Sequence, residues 1–197
     1  MENILRKNMV FIKIIKKGFW IKRKNYERAS SNVVLVINGK DIILVDTGNL
    51  NEDKEIISAL NIEGVRINSI NIVINTHYHL DHISNNFLFK NAAIIASGII
   101  LKNGEFSKWD GKEMRITKDV SIMKTPGHTR DDCSVIVRSN KGIIAIVGDL
   151  IPSKDRINKK DPIAWNNKTL MKNRKRILKI ADFIIPGHAP MFKVKKK

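Results

Sequence analysis

The chain has 197 residues, 43% of them hydrophobic, and carries a formal charge of +17 from 36 Lys and Arg against 19 Asp and Glu. That length can bury about 70% of the unfolded surface in one core, so a single domain over residues 1–197 is expected. The lone cysteine, Cys133, excludes an internal disulfide and a thiolate metal site, and apolar runs broken by lysine exclude a membrane span. A soluble, cytoplasmic protein with no membrane partner is therefore expected, with Cys133 read as a small core residue.

In chain order, "SNVVLVINGKDIILVDTG" predicts a hairpin of two apolar runs, residues 33–37 and 42–45, around a turn at Asn38-Gly39. A short amphipathic helix is predicted from about Asn51, with Ile56, Ile57 and Leu60 inward. "INIVIN" (residues 70–75) reads as a buried strand that runs into "THYHLDH", residues 76–82. Further strands are predicted near "AAIIAS", "SIMKTP", "CSVIVRS", "GIIAIVGD" and "FIIPGH". A basic helix over residues 168–179 precedes the last, with Leu170, Ile177, Leu178 and Ala181 on its apolar face and its bases in solvent.

The polar stops of these strands collect every histidine in the chain. The cluster contributes His77, His79 and His82; "TPGH" ends on His128, "IIPGH" on His188, and "IVGD" on Asp149. A strand end anchors a side chain rigidly while turning it toward a cleft. In an extended segment His77 and His79 point the same way and can share one ion, which His128 would complete. Asp81 and His82, past a turn, can serve a second ion with His188, and Asp149 can bridge the two. Imidazole with carboxylate and no thiolate suits zinc, with manganese or iron also acceptable. Two such cations would share a water, lower its pKa toward about 7 and so provide a bridging hydroxide nucleophile.

"THYHLDH", "TPGHT", the Gly148-Asp149 and Gly187-His188 pairs and the preceding "VDTG" together resemble the metallo-β-lactamase superfamily, in its motif order and over residues 46–188. The resemblance implies an α/β fold, an αββα sandwich with two β-sheets face to face and helices outside. It implies His77, His79 and His128 on one metal, Asp81, His82 and His188 on the other, Asp149 between them, and Asp81 and Asp149 as the catalytic carboxylates. Asp46 of "DTG" is implied as support behind the ligands, where such partners fix the tautomer of a ligating imidazole.

Departures narrow the branch. His82 is retained where redox diiron branches turn acidic, which favours hydrolysis. Asp149 stands where true class B β-lactamases often carry Cys or Ser. Nine residues follow His188, so the helical domain of glyoxalase II proteins is not expected, and the 39-residue interval from Asp149 to His188 is too short for the insert of large RNA-processing branches. Residues 173–194 resemble the C-terminus of the small metallo-β-lactamase domain-containing protein 1 group, whose members are associated with endoribonuclease activity.

The positive charge would concentrate polyanions, nucleic acid first, although the Ile-, Asn- and Lys-rich composition also spreads lysine without purpose. Basic residues bunch at 16–28, 168–179 and 193–197. Residues 151–168 lack periodicity and are expected beside the cleft, where Lys154, Arg156 and Lys160 could meet phosphate or carboxylate and Trp165 could stack on a base or fasten the loop. Tyr78 is expected to point away from the metals into the core, and Arg130, Asp131 and Asp132 to act as local caps. Three functions stay open: a dinuclear zinc phosphodiesterase acting on RNA or single-stranded DNA, a hydrolase of small carbonyl substrates such as a β-lactam, lactone or acyl thioester, and a non-enzymatic nucleic-acid binder.

Overall fold

The computed structural model describes residues 9–196, so Lys197 of the basic tail and the residues before Met9 lie outside the described residues. With strands numbered in chain order, β1 (Phe11–Lys16) is followed by a separate two-stranded hairpin, β2 (Phe19–Lys22) and β3 (Glu27–Ser30). The chain then returns to pair β1 with β4 (Val33–Asn38), and β5 (Asp41–Val45), β6 (Ile72–Ile74), β7 (Ala93–Ala96), β8 (Ile99–Lys102) and β9 (Glu105–Lys108) extend that sheet in order. A second sheet follows in simple sequence: β10 (Glu113–Arg115), β11 (Val120–Lys124), β12 (Cys133–Ser139), β13 (Gly142–Ile146), β14 (Phe183–Ile185) and β15 (Phe192–Lys193).

Why so many strands are apolar at every position follows from the layering. Val34, Val36, Ile43 and Val45 face Ile122, Val135, Val137 and Ile146 across the space between the sheets. Their neighbours Val33, Leu35 and Leu44 turn outward and meet Ile56 and Leu60 of α1 (Asp53–Ile62). On the far side Ile136, Ala145 and Ile184 meet Leu170 and Ile177 of α3 (Asn167–Ile180). A strand buried on both faces needs no polar alternation, because its sheet is covered twice. The result is the αββα sandwich. One further turn of helix, α2 (Leu80–Ile83), lies at the sandwich edge.

The sequence reading needs three corrections. The β4–β5 turn is Gly39-Lys40, because Asn38 pairs with Asp41 and only Gly39 takes the positive φ. Ile57 is only half-buried, and Leu178 likewise, so the inward faces are narrower than the periodicity suggests. Most telling, Arg174 of the basic helix is not in solvent: it is 1% exposed, and its guanidinium donates to the carbonyls of Leu150 (2.5 Å), Arg156 (2.9 Å) and Lys159 (2.6 Å). It gathers a loop that has only short helical turns onto α3 by supplying donors to its carbonyls. Arg174→Met should therefore lower stability by about 2 kcal/mol or more, read from the denaturant midpoint, because a buried carbonyl left without a donor costs about 1–3 kcal/mol.

Candidate metal centre

Two pairs of parallel strands, β5 with β6 and β13 with β14, end at the same edge of the sandwich. Everything of chemical interest follows those ends: Asp46 after β5, residues 75–82 after β6, Gly148 and Asp149 after β13, Gly187 and His188 after β14. His128 arrives from the turn between β11 and β12. The backbones can come this close only where side chains are missing. A methyl on Gly187 would overlap Asp149 Oδ1, and one on Gly148, at φ +49°, would overlap the Thr76 hydroxyl.

All five histidines converge. The His77 and His82 rings lie 4.1 Å apart, His79 and His128 4.6 Å, and His82 and His188 5.2 Å. Donor atoms of His77, His79, His128 and Asp149 lie within 4.8 Å of one another, as do those of Asp81, His82 and His188. Asp149 reaches into both sets, with Oδ2 3.6 Å from His128 Nε2 and Oδ1 3.5 Å from His82 Nε2.

The surroundings fix which ring nitrogen faces inward. His82 Nδ1 meets Asp46 Oδ2 at 2.8 Å, His128 Nδ1 meets Asp161 Oδ2 at 2.6 Å, and His188 Nδ1 meets the Ser30 carbonyl at 2.9 Å. Each partner is an acceptor, so Nδ1 carries the proton in all three rings and the Nε2 lone pair points to the centre. There, among the described residues, His77 Nε2 and His82 Nε2 are buried without a hydrogen-bond partner, and Asp149 Oδ1 is buried with no well-aligned one, His188 Nε2 lying 2.9 Å away. His79 Nδ1 stands 3.0 Å from His128 Nε2, and two lone pairs that close repel unless a proton or cation lies between them. Orphaned donors of imidazole and carboxylate type, aimed at one point, fit a borderline divalent cation.

The electrostatics agree. Burial pushes His82 down, but the Asp46 and Asp149 carboxylates outweigh it and hold the imidazole well above its usual range. Burial is likewise overcome by Asp161 and Asp149 at His128, and by Asp149 at His188, both of which are raised. His77, buried and surrounded by other imidazoles, is held well below. At Asp149 burial favours the acid, yet His188 and His82 keep it firmly ionised.

A family comparison follows from this geometry. The pattern of the metallo-beta-lactamase superfamily matches residues 26–122. A probable metallo-hydrolase of Methanocaldococcus jannaschii is 35% identical over 186 residues, 91% of this chain and 87% of that one. Metallo-beta-lactamase domain-containing protein 1 of Xenopus laevis is 32% identical over 169 residues, 83% of this chain and 72% of its own. The chain belongs to the metallo-beta-lactamase superfamily. Within it the likeness to the domain-containing protein 1 group stands, and the protein is a metal-dependent hydrolase. The same fold is seen in a candidate metallo-beta-lactamase from Thermotoga maritima, with a TM-score of 0.73 at 23% identity over 94% of this chain and all of that one. An N-acyl homoserine lactone hydrolase, solved with N-hexanoyl-L-homoserine at its catalytic metal centre, superimposes with a TM-score of 0.70 at 15% identity, covering 92% and 93%.

The cleft over the centre has a volume of about 620 Å³ including its open mouth. Of the wall residues expected from sequence, Arg156 and Lys160 line it. Lys154 does not: it opens the short helical turn Lys154–Arg156, which sends its first and last side chains to different sides, and its ammonium lies over Phe192. Trp165 also stands outside the cleft, half-exposed against the Arg130 guanidinium at 5.6 Å, while its backbone N–H donates to the His128 carbonyl at 2.8 Å. Tyr78, expected in the core, is half-exposed, because its segment is a loop. Asp132 is the local cap it was read as, accepting from the Thr129 amide and hydroxyl. Burial pushes the Cys133 thiol up, in keeping with a core residue.

Other contributors were not foreseen. Asp161 orients His128; its only signal is an isolated acid before proline in "NKKDPIAW". Thr76 donates its amide and hydroxyl to Asp46, at 2.7 and 2.8 Å. Trp20 and Glu27 of the β2–β3 hairpin line the cleft, joined by an indole N–H to carboxylate bond of 3.0 Å. Lys16, 3% exposed, binds Ser30 Oγ at 2.6 Å and Glu52 at 2.9 Å, bracing the segment whose carbonyl holds His188. Nothing in "FIKIIKK" distinguishes that lysine from its neighbours.

Asp161→Asn is expected to weaken divalent-cation binding about 10- to 100-fold in a chelator competition, since it removes the carboxylate that fixes the His128 tautomer. The raised imidazoles give a second expectation. Protons and cations compete for the same Nε2 lone pairs, so affinity should begin to fall as pH drops while still above about 6.5, the ordinary imidazole value, with proton release accompanying metal uptake. Isothermal titration in buffers of different ionisation enthalpy counts those protons.

Proposed function

We propose that the cleft hydrolyses phosphodiesters of single-stranded RNA or DNA with two divalent cations, zinc by the nature of the donors. His77, His79 and His128 would hold one, Asp81, His82 and His188 the other, and Asp149 both. The observation that carries the substrate class is the wall facing them: Arg156, Lys159 and Lys160, from one loop, line the cleft beside the histidines. The Arg156 guanidinium and the Lys160 ammonium, with Lys159 beside them paired to Asp155 at 3.1 Å, offer an anionic ester both charge balance and orientation.

The chain's own residues divide the work. Asp46, Asp161 and the Ser30 carbonyl keep the Nε2 lone pairs of His82, His128 and His188 inward, so the inner donors need no rearrangement before reaction. Arg156 lies over the Trp20 ring at 5.0 Å, and the pair sets an aromatic face beside the cationic wall on which a base can stack. Cations bound at the centre supply activated water at neutral pH and neutralise charge on the attacked group. Likeness to the domain-containing protein 1 group supports the same direction.

A second reading rests on the lactone hydrolases among proteins of the same fold and on Pro152, Pro162 and Ile163 at the cleft, which would suit an acyl chain. There the substrate is a lactone, acyl thioester or β-lactam. Metal-reconstituted enzyme should therefore be assayed on labelled single-stranded RNA beside nitrocefin, a lactone and a thioester, across a salt series. RNA cleavage that falls steeply with salt and drops at least about hundredfold in Asp149→Ala is the expected outcome, since phosphate contacts release counterions. Carbonyl turnover that depends on Asp149 while RNA survives would replace the phosphodiester reading with the second.

A further inference from the structure

Away from the cleft, a groove runs between α3 and the C-terminal strand. Its walls carry Lys154, Lys175, Lys179, Lys193, Lys195 and Lys196. Its floor is apolar, made of the half-buried Ile157, Leu178, Phe192 and Val194. Six of its eleven lining residues are lysine and none is acidic, where the composition of the chain would place about two basic residues and one acidic. A lysine-rich composition therefore does not account for the groove by itself. Of the six, only Lys196 is ion-paired among the described residues, to Asp182. The remaining ammonium groups repel one another across a shared concavity, a cost that an anionic partner relieves.

We infer that this groove holds a single strand of nucleic acid leading to or from the cleft. Three observations favour that occupant. The lysines stand on two opposite walls, from α3 and from β15 with the residues after it, as a backbone with phosphates along its length requires. The floor offers apolar area and one aromatic ring, Phe192, to exposed bases, which a single strand has and a duplex hides. The Lys154–Arg156 turn joins the two places, because Lys154 lines the groove and Arg156 the cleft, so one strand crossing that turn meets both. A planar membrane surface could touch the rims of such a concavity but not its floor.

The inference rests on the phosphodiester reading of the cleft, and its test separates the two. The variant is Lys175→Glu/Lys179→Glu in the full chain, and the measurements are anisotropy of a labelled, hydrolysis-resistant phosphorothioate strand bound to metal-loaded enzyme and turnover of a dinucleotide too short to leave the cleft. Binding of the long strand should weaken roughly tenfold or more, and the slope of log affinity on log salt should shrink by about 1.4 for two lost phosphate contacts. Dinucleotide turnover should not change. Lys193→Gln/Lys195→Gln, on the opposite wall, should act in the same direction and guards against a misfolded helix variant. Long-strand binding that is unchanged in both variants overturns the groove and leaves the cleft reading intact. Groove-dependent binding of the long strand without turnover of the dinucleotide supports the groove and overturns the cleft reading. Binding to phosphatidylserine vesicles that depends on these lysines, with no groove-dependent binding of the strand, overturns the nucleic-acid occupant.

Discussion

Thr76 is where the two sheets are tied together at the active edge. Its amide and hydroxyl donate to Asp46, the residue that ends β5, and its carbonyl accepts the amide of Cys133, at 2.8 Å, from the first residue of β12 in the other sheet. The same hydroxyl touches His77 Nδ1 at 3.1 Å, and Gly148 packs directly on its side chain. Asp46 in turn holds His82, and it does so from a backbone at φ +58°, a strained conformation for a residue with a side chain. The inter-sheet core brings the strands together within several ångströms, but this carboxylate and hydroxyl set the final positions of the imidazoles. Packing alone does not fix ring orientation; directed hydrogen bonds do.

Charge is used here in two different ways. Most lysines lie in solvent, where a single ion pair contributes little. Lys16 and Arg174 are buried and act instead as organisers of the segments behind the cleft. Lys16 is neutralised by Glu52, and the pair stiffens the approach to Ser30, whose carbonyl orients His188. Among the described residues Arg174 has no acidic partner at hydrogen-bond distance, and it satisfies carbonyls of the loop that carries Arg156, Lys159, Lys160 and Asp161. The cationic wall thus owes its position to a buried cation behind it. This arrangement explains how a loop with no periodicity can still present a defined surface to a substrate.

The histidines were legible because each follows an apolar run, and a strand end near glycine has little choice of direction. The two central sheets were legible for the same reason. β1 and β8 to β10 were not, since strands nearer a sheet edge carry Lys, Glu and Ser, although Asn103-Gly104, both at positive φ, is the dipeptide that a tight hairpin favours. The β2–β3 hairpin was read only as a basic run, and its Trp20 in the cleft follows from tertiary placement that no local pattern encodes. Lys154 and Arg156 differ in outcome, though two residues apart, because a single helical turn separates inside from outside. Burial of Arg174 was invisible for a different reason. At the period of α3 it falls between Leu170 and Ile177, and sequence alone cannot say that carbonyls wait there for it.

The centre itself can be counted as a charge balance. With its imidazoles neutral, the carboxylates of Asp46, Asp81, Asp149 and Asp161 bring four negative charges to a region where His77, His82, His128 and His188 are buried. Uncompensated, that density opposes folding, because burying like charges is costly. Protons on His82, His128 and His188 are the compensation available from the chain, and it is these three that the neighbouring carboxylates hold above their usual range. Two divalent cations would supply four positive charges at the same Nε2 positions without forcing any lone pair to face another. The acids therefore do more than orient ligands: they set the total charge that the cleft will accept. Outside it, Arg156 and Lys160 at the cleft and the groove lysines other than Lys196 have no acidic ion-pair partner among the described residues, so their charge can meet that of a substrate.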